Sequence, residues 1–212
     1  SCSPELPGLD SIPAPITASL HELAPVTIEP LHAKHPDYPA FFRHLAHHHY
    51  LGHRGPVGEH IAYLARDRHR RDVACLLFGA SAWKAASRDQ FIGWDDATRA
   101  KRLNWTTNNT RFLILPWIRV AHLASHLLAR TLRRLSADWT TKYGHPIHLV
   151  ETFVDRSRFK GTCYRAANWT CVGQTQGRSR QDRDRTLRVP VKDVYLYPLI
   201  QHFREELCRV DP

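Results

Sequence analysis

The sequence predicts an α/β fold in which a mixed central sheet is flanked by helices and preceded by a proline-rich arm. Short apolar runs bounded by turn residues alternate with longer segments in which apolar residues recur every three to four positions. The first 38 residues contain seven prolines and show little periodicity. The chain has 212 residues, 42% of them hydrophobic, which is enough to bury a sizeable core.

The arm covers residues 1–38, and the remaining residues, 39–212, form the predicted domain. Repeated prolines exclude a long helix or a central strand, because proline lacks the backbone N–H that both structures use. We therefore expect extended turns in the arm. Its one apolar patch, residues 20–28, is expected to lie against the domain.

The first half of the domain predicts two helices around a pair of strands. Residues 39–49 have the apolar spacing of a short amphipathic helix, and residues 61–65 and 73–78 read as neighbouring strands joined by a charged turn. Residues 94–103 begin with acidic and end with basic side chains, an order that favours a helix through its dipole.

The second half alternates between strands and helices. Residues 112–117 predict a buried strand, residues 123–135 a helix with a leucine face, and residues 148–154 another strand. The remaining predicted segments are a short helix at 161–169, a short strand at 170–173, an arginine-rich loop at 178–188, a strand at 194–198 and a helix at 199–208.

Composition excludes several classes of protein. No apolar run approaches the roughly 18–20 residues that cross a bilayer, and no basic-then-apolar leader opens the chain. We expect a soluble, cytoplasmic protein with no membrane partner. The five cysteines are scattered and contain no C-x-x-C pair, so neither a zinc knuckle nor a disulfide framework is predicted.

The charge favours a polyanionic partner. The formal net charge is +10, and arginine supplies 24 of the 30 basic residues. Because the planar guanidinium donates paired hydrogen bonds to phosphates and base edges, we expect DNA or RNA as a partner. The alternative is ordinary surface solubility in a GC-rich genome. The candidate phosphate ligands are Arg111, Arg178, Arg180, Arg183 and Arg185.

Four residues form the predicted catalytic set. Glu151 carries a charge within an apolar strand and is the candidate general base, and Asp155 follows at the strand end where α/β sheets place ligands. Tyr164 is the candidate acid, and Asn168, four residues later on the predicted helix, would orient the substrate. The alternatives are that Glu151 pairs with a core arginine, that Asp155 begins a turn and that the other two are structural.

Metal binding is open but not assigned to any residue. A divalent ion on Glu151 and Asp155 is possible because carboxylates suit magnesium or manganese. His44, His47 and His48 have helical spacing, but no neighbouring cysteine or carboxylate completes a ligand set.

From the third strand onward, the order of elements resembles the GNAT acyltransferases. In that superfamily a loop R/Q-x-x-G-x-G/A precedes a helix, and its amides bind the pyrophosphate of coenzyme A. Arg119 and Ala124 fit this pattern, while His122 stands where the first glycine is expected. Because a Cβ obstructs close approach, the expectation of coenzyme A is weakened, and aminoacyl-tRNA is an alternative donor. The family motif Tyr-x-x-x-Gly-Phe, with tyrosine as acid, is matched by the segment from Tyr164 to Trp169.

A second resemblance covers about residues 40–200. It rests on the segments 49–52, 88–89, 92–94, 109–115, 123–125, 151–155, 161–164, 167–169, 173–178 and 192–195. In these segments the chain is similar to component A (DruA) of the Druantia anti-phage systems, a family also seen with transposases. It implies a role in defence or mobile DNA, with other defence-system or transposase proteins as possible partners.

Three classes of function remain open at this point. The chain is expected to cut or modify DNA or RNA, because carboxylates accompany arginine-rich segments. The GNAT resemblance supports an acyl- or aminoacyl-transferase instead. The third possibility is a non-catalytic module that binds nucleic acid.

Overall fold

The computed structural model describes residues 12–52, 55–177 and 189–209. The strands are β1 (Ile16–Thr17), β2 (Thr27–Leu31), β3 (Ile61–Arg66), β4 (Asp72–Ala80), β5 (Thr106–Ile114), β6 (Ile118–Arg119), β7 (Leu149–Asp155), β8 (Thr170–Gln174) and β9 (Lys192–Pro198). The helices are α1 (Leu20–Leu23), α2 (Tyr38–His48), α3 (Ala86–Ile92), α4 (Asp96–Arg102), α5 (Leu123–Tyr143), α6 (Thr162–Ala166) and α7 (Phe203–Cys208).

Seven strands form one mixed sheet in the order β2-β3-β4-β5-β7-β9-β8. Only β5 and β7 are parallel, and every other neighbouring pair is antiparallel. The short strands β1 and β6 pair separately. The predicted mixed sheet between helices is confirmed.

Each face of the sheet carries its own apolar layer. Because side chains alternate along a strand, β7 directs Val150 and Val154 into one layer and Leu149 and Phe153 into the other. The leucine face of α5 covers the first layer, and α3 and α7 cover the second. The result is a helix–sheet–helix arrangement with β7 near its centre.

Strand β5 covers Thr106–Ile114 and so begins and ends earlier than the predicted strand at 112–117. Its start has no hydrophobic pattern because the first residues are polar. Within the sheet their polar groups are satisfied by β4: the Thr107 hydroxyl donates to the Gly79 carbonyl at 2.7 Å, and the Asn109 amide donates to the Leu77 carbonyl at 3.1 Å. Helix α5 runs on to Tyr143, where Gly144 ends it in the left-handed region at φ 78°. Helix α3 was not predicted.

Part of the predicted arm belongs to the sheet. Strand β2 forms its edge and pairs with β3 from Thr27 to Leu31. Pro30 is compatible with this position because an edge strand leaves alternate N–H groups without a partner in the sheet. The boundary at residue 38 therefore does not mark where the sheet begins, while residues 1–11 lie outside the described part of the chain.

Candidate functional site

A cleft opens where the two parallel strands of the sheet part. Residues 106–108 of β5 pair with residues 149–151 of β7, and the register ends there although both strands continue. The diverging halves enclose a cavity of about 500 Å³. This volume is in the range of small-molecule sites, so the cleft is the candidate functional site.

A β-bulge shapes the β5 side of the cleft. Leu77 pairs with Arg111 and Phe78 with Asn109, which leaves Thr110 as an extra residue in β5. The Arg111 guanidinium fixes this bulge: it donates to the Thr110 carbonyl at 2.7 Å and to the Gly52 carbonyl at 3.1 Å. Arg111 was a predicted phosphate ligand, but in the structure its guanidinium donates to these two backbone carbonyls. Burial lowers the pKa of Arg111.

Five parts of the chain line the cleft. They are the end of α2 with the following turn, strands β5 and β7, the segment from Phe159 through the start of α6, and the first turn of α5. The side chains that line the cleft include those of His48, His49, Tyr50, Leu51, Asn109, Ala124, Thr152, Phe159, Lys160 and Tyr164.

Tyr164 lies in the wall of this cleft. Its hydroxyl donates to Oδ1 of Asn109 at 2.8 Å, and the Thr152 hydroxyl donates to the Asn109 carbonyl at 3.0 Å. Its ring packs edge-on against Trp169 with centroids 5.0 Å apart. Burial raises the pKa of Tyr164, so the phenol keeps its proton at neutral pH and is an oriented hydrogen-bond donor.

Two histidines in the cleft are neutral at pH 7. Burial, together with the Arg111 charge, lowers the pKa of His49 to about 4. Burial also lowers the pKa of His48, with smaller contributions from His44 and His47. The backbone N–H of Leu51 donates to Nδ1 of His49 at 3.2 Å, which leaves the ring proton on Nε2. In the sequence, His48 stands out only as one of three histidines at helical spacing, and His49 and Asn109 only within the family-like segments 49–52 and 109–115.

Glu151 is enclosed on the other side of β7 and is not among the residues of the cleft. Its carboxylate accepts from Arg88 at 2.8 Å and from the Ala82 N–H at 2.7 Å, and both charged side chains are fully buried. Burial raises the pKa of Glu151, and the Arg88 charge opposes this rise. The geometry matches the alternative in which Glu151 pairs with a core arginine, because a base needs access to the substrate.

Asp155 organises a turn at the end of β7. One oxygen accepts from the Ser157 hydroxyl at 2.6 Å and from the Ser157 N–H at 3.0 Å. The hydroxyl contact is the main reason that the pKa of Asp155 is lowered. Asp155 and the enclosed Glu151 do not share an opening in which a divalent ion would contact both.

Asn168 lies apart from Tyr164, contrary to the shared helix face that the spacing predicted. Helix α6 ends at Ala166, and Asn168 follows in the left-handed region with φ 66°. Its side chain is exposed and borders a different depression together with Tyr197. The i, i+4 rule fails here because it holds only within a continuous helix.

The first turn of α5 reaches the cleft through Ala124. His122 precedes this helix with φ 63° and ψ 4°, the left-handed conformation that glycine adopts most easily, and its side chain does not cap the helix. Arg119 is exposed in β6, just before this turn. The backbone at the helix start therefore has a glycine-like conformation although the residue is histidine.

The remaining predicted ligands fall elsewhere. Arg178, Arg180, Arg183 and Arg185 lie outside the described residues. His44 contacts Asp72 at 3.0 Å, and within 12–52, 55–177 and 189–209 no group of three or more His, Cys, Asp or Glu side chains is placed to hold a metal ion. No helix in those ranges is both long and apolar enough to span a bilayer.

The sheet order, the parted parallel strands and the helix that starts at the cleft give the chain a GNAT-like fold. A spermidine N-acetyltransferase from Vibrio cholerae, solved with CoA and spermine, has a TM-score of 0.53 at 9% identity over 82% of this chain and 95% of that one. A spermidine/spermine N-acetyltransferase from the same organism, solved with manganese ions, has a TM-score of 0.50 at 10% identity over 82% and 92% of the two chains. At such identities the similarity concerns the fold alone.

Within this fold, the chain belongs to the DruA family. The family described as Druantia protein DruA matches residues 10–188, which is most of the sequence. No curated protein matches the sequence significantly. Membership of this family implies a role in anti-phage defence.

Proposed function

We propose that this chain is a group-transfer enzyme of anti-phage defence and that the cleft between β5 and β7 is its substrate site. The proposal rests on one observation: a 21-residue helix begins at the cleft that the bulge and the parting of two parallel strands create. A cleft with apolar walls and a few oriented polar groups is the usual form of a small-molecule site.

The start of α5 supports an anionic donor at this cleft. The first N–H groups of a helix lack intrahelical acceptors, and the helix dipole favours negative charge there. The left-handed backbone of His122 fits the approach of a pyrophosphate, and Arg119 adds an exposed cation. Acyl-coenzyme A would be held by Arg119 and the backbone of residues 122–125, and when bound its thioester would supply the acyl group and release the coenzyme A thiol.

The chain's own side chains have complementary proton roles in this proposal. Tyr164 stays protonated, and when its hydroxyl turns from Asn109 toward the substrate it donates a hydrogen bond or a proton to the group that leaves. His48 is neutral and accepts a proton from the attacking group. His49, with its proton on Nε2, donates to an oxygen that gains negative charge.

Thermal unfolding with and without coenzyme A tests the donor site. We expect coenzyme A to raise Tm of the full chain, because a ligand that binds only the folded state stabilises it. Arg119→Glu should remove this increase, and Arg133→Glu, an exposed arginine further along α5, should keep it. His122→Gly should preserve or enlarge the increase. If Tm does not change in either the wild type or His122→Gly, the donor site is refuted.

A second candidate function is action on DNA or RNA, whether by cutting, by modification or by binding alone. Residues 156–160 favour it, because these five consecutive exposed positions carry three cations and an aromatic ring. Tyr164→Phe separates the outcomes: an enzyme loses product formation while binding persists, and a binding module shows no product with either protein.

A further inference from the structure

Exposed apolar side chains gather at the mouth of the cleft. Of the seven large apolar side chains exposed in the described ranges, three border this mouth: Tyr50 at 39%, Leu51 at 46% and Phe159 at 47%. Tyr50 and Phe159 contact each other with ring centroids 5.0 Å apart and ring planes inclined at 59°, and the His49 ring packs against Tyr50 at 4.9 Å. Apolar surface that is grouped around an opening indicates a binding surface, whereas single scattered residues do not.

Cations surround these two rings. Arg158 places its guanidinium 5.3 Å from the centre of the Tyr50 ring, and Lys160 is exposed next to Phe159. The ion pair of Arg158 with Asp155 is long, at 3.8 Å from Nε, and the Arg158 side chain is 60% exposed, so a phosphate can approach it from the solvent. Arg156 has an ion pair with Asp193 at 3.3 Å. The mouth therefore combines flat apolar faces with net positive charge.

Hydrogen bonds to backbone carbonyls hold this mouth in place. On one side, the N–H groups of Arg158 and Phe159 both donate to the Asp155 carbonyl, at 3.1 and 2.9 Å. On the other side, Arg111 binds the Gly52 carbonyl and so ties the turn after Tyr50 to β5. A surface that is already ordered loses less conformational entropy when it binds a ligand.

We propose that Tyr50, Phe159, Arg158 and Lys160 form a binding site for single-stranded nucleic acid, in which an unpaired base stacks on the Phe159 ring with Tyr50 packed beside it, and its flanking phosphates contact the two cations. This inference deepens the proposed function, because it names the class of molecule that reaches the same cleft. Base stacking on aromatic rings within a basic groove is the physical pattern of single-strand binding. The cavity behind the rings gives a splayed base room to enter.

The aromatic rings distinguish single strands from duplexes and from acidic proteins. In a duplex the base faces are stacked on one another, so that exposed rings gain nothing and only phosphate contacts remain. An acidic peptide likewise satisfies the cations but offers no planar face. The site therefore predicts a binding energy that depends on Tyr50 and Phe159 for single strands only.

Fluorescence anisotropy with the full chain tests this site, using labelled oligo(dT), oligo(U), a duplex of the same length and polyglutamate. We expect Tyr50→Ala and Phe159→Ala each to weaken single-strand binding about 5- to 150-fold. Duplex binding should be weaker in the wild type and insensitive to both changes. Trp83→Ala, which removes an exposed ring outside the cleft, is the matched control and should bind as the wild type does.

The cations are tested by salt dependence. The plot of log affinity against log salt concentration has a negative slope, and Arg158→Gln and Lys160→Gln should each make this slope shallower by about 0.7 for a single strand. The inference is overturned if the wild type does not bind the single strands, if the aromatic variants bind them as the wild type does, or if duplex or polyglutamate binding shows the same aromatic dependence. Because these assays contain no coenzyme A, single-strand binding without any Tm response to coenzyme A would refute the proposed donor site and leave this inference standing.

Discussion

Replacing Glu151 by glutamine tests whether this residue holds the fold together or performs chemistry. In the structure its carboxylate neutralises the fully buried Arg88 and accepts the Ala82 N–H. Glutamine keeps the shape but turns an amide donor toward the guanidinium, and the variant leaves a buried charge with less compensation.

The size of the effect follows from the contacts that remain. Removing one partner of a buried ion pair costs about 3–5 kcal/mol. Asp89 still contacts the Arg88 guanidinium at 2.8 Å, so we expect the lower end, about 3 kcal/mol. For a chain of this size, that corresponds to a fall in Tm of roughly 6–12 °C.

Urea unfolding and thermal melts followed by circular dichroism measure this loss, with Glu205→Gln as an exposed control that should change stability by less than about 0.5 kcal/mol. Combining Glu151→Gln with Arg88→Gln should cost less than the sum of the two single changes, because the pair is coupled. The structural role derived from the ion pair is refuted if Glu151→Gln unfolds as the wild type does and the loss of stability in the double variant equals the sum of the two single losses.

Three further predictions concern the cleft and its surroundings. Gly161→Ala should destabilise the fold by about 1–3 kcal/mol in urea unfolding, because the backbone at Gly161 has φ 67° and an added Cβ would lie 2.5 Å from the Tyr195 hydroxyl oxygen. Unchanged stability would contradict this packing. The free energy of unfolding should fall as pH falls from about 6.5 to about 4, in part through His49, because the pKa of His49 is lower in the folded chain than in the unfolded chain, which therefore binds the extra proton. His49→Gln should make this pH dependence shallower, and an identical profile would count against the burial of the ring. Arg111→Ala should accelerate amide hydrogen exchange in residues 49–52, since it removes the hydrogen bond to Gly52, and unchanged exchange would show that other contacts hold the turn.

The sequence predicted the elements whose signals are local. The apolar runs of β3 and β4 and the leucine face of α5 were recognisable because burial on both faces or on one helical face leaves a short-range pattern. Strand β5 was partly missed because its first residues are threonine and asparagine. Their polar groups become acceptable inside a sheet only through partners on β4, which no local pattern contains.

For the candidate site, the sequence selected residues of the right chemical type and the tertiary structure assigned their positions. Tyr164 reaches the cleft, whereas Glu151 and Asp155 are engaged by Arg88 and Ser157. Asn168 left the predicted helix face because α6 ends two residues earlier. Phe159 carries no sequence signal that separates a cleft residue from an ordinary surface one, and His49 stands out only within the family-like segment 49–52.

By itself, therefore, the sequence determined the α/β class, the strong positive charge and the approximate positions of most helices and strands, because these depend on composition and on periodicities of a few residues. Only the tertiary structure decided that β5 and β7 pair over three residues and then part, and that Glu151 faces an arginine 63 positions away. Strand register, cavities and buried ion pairs arise between segments distant along the chain. Their energies depend on packing and desolvation, which local residue patterns do not encode.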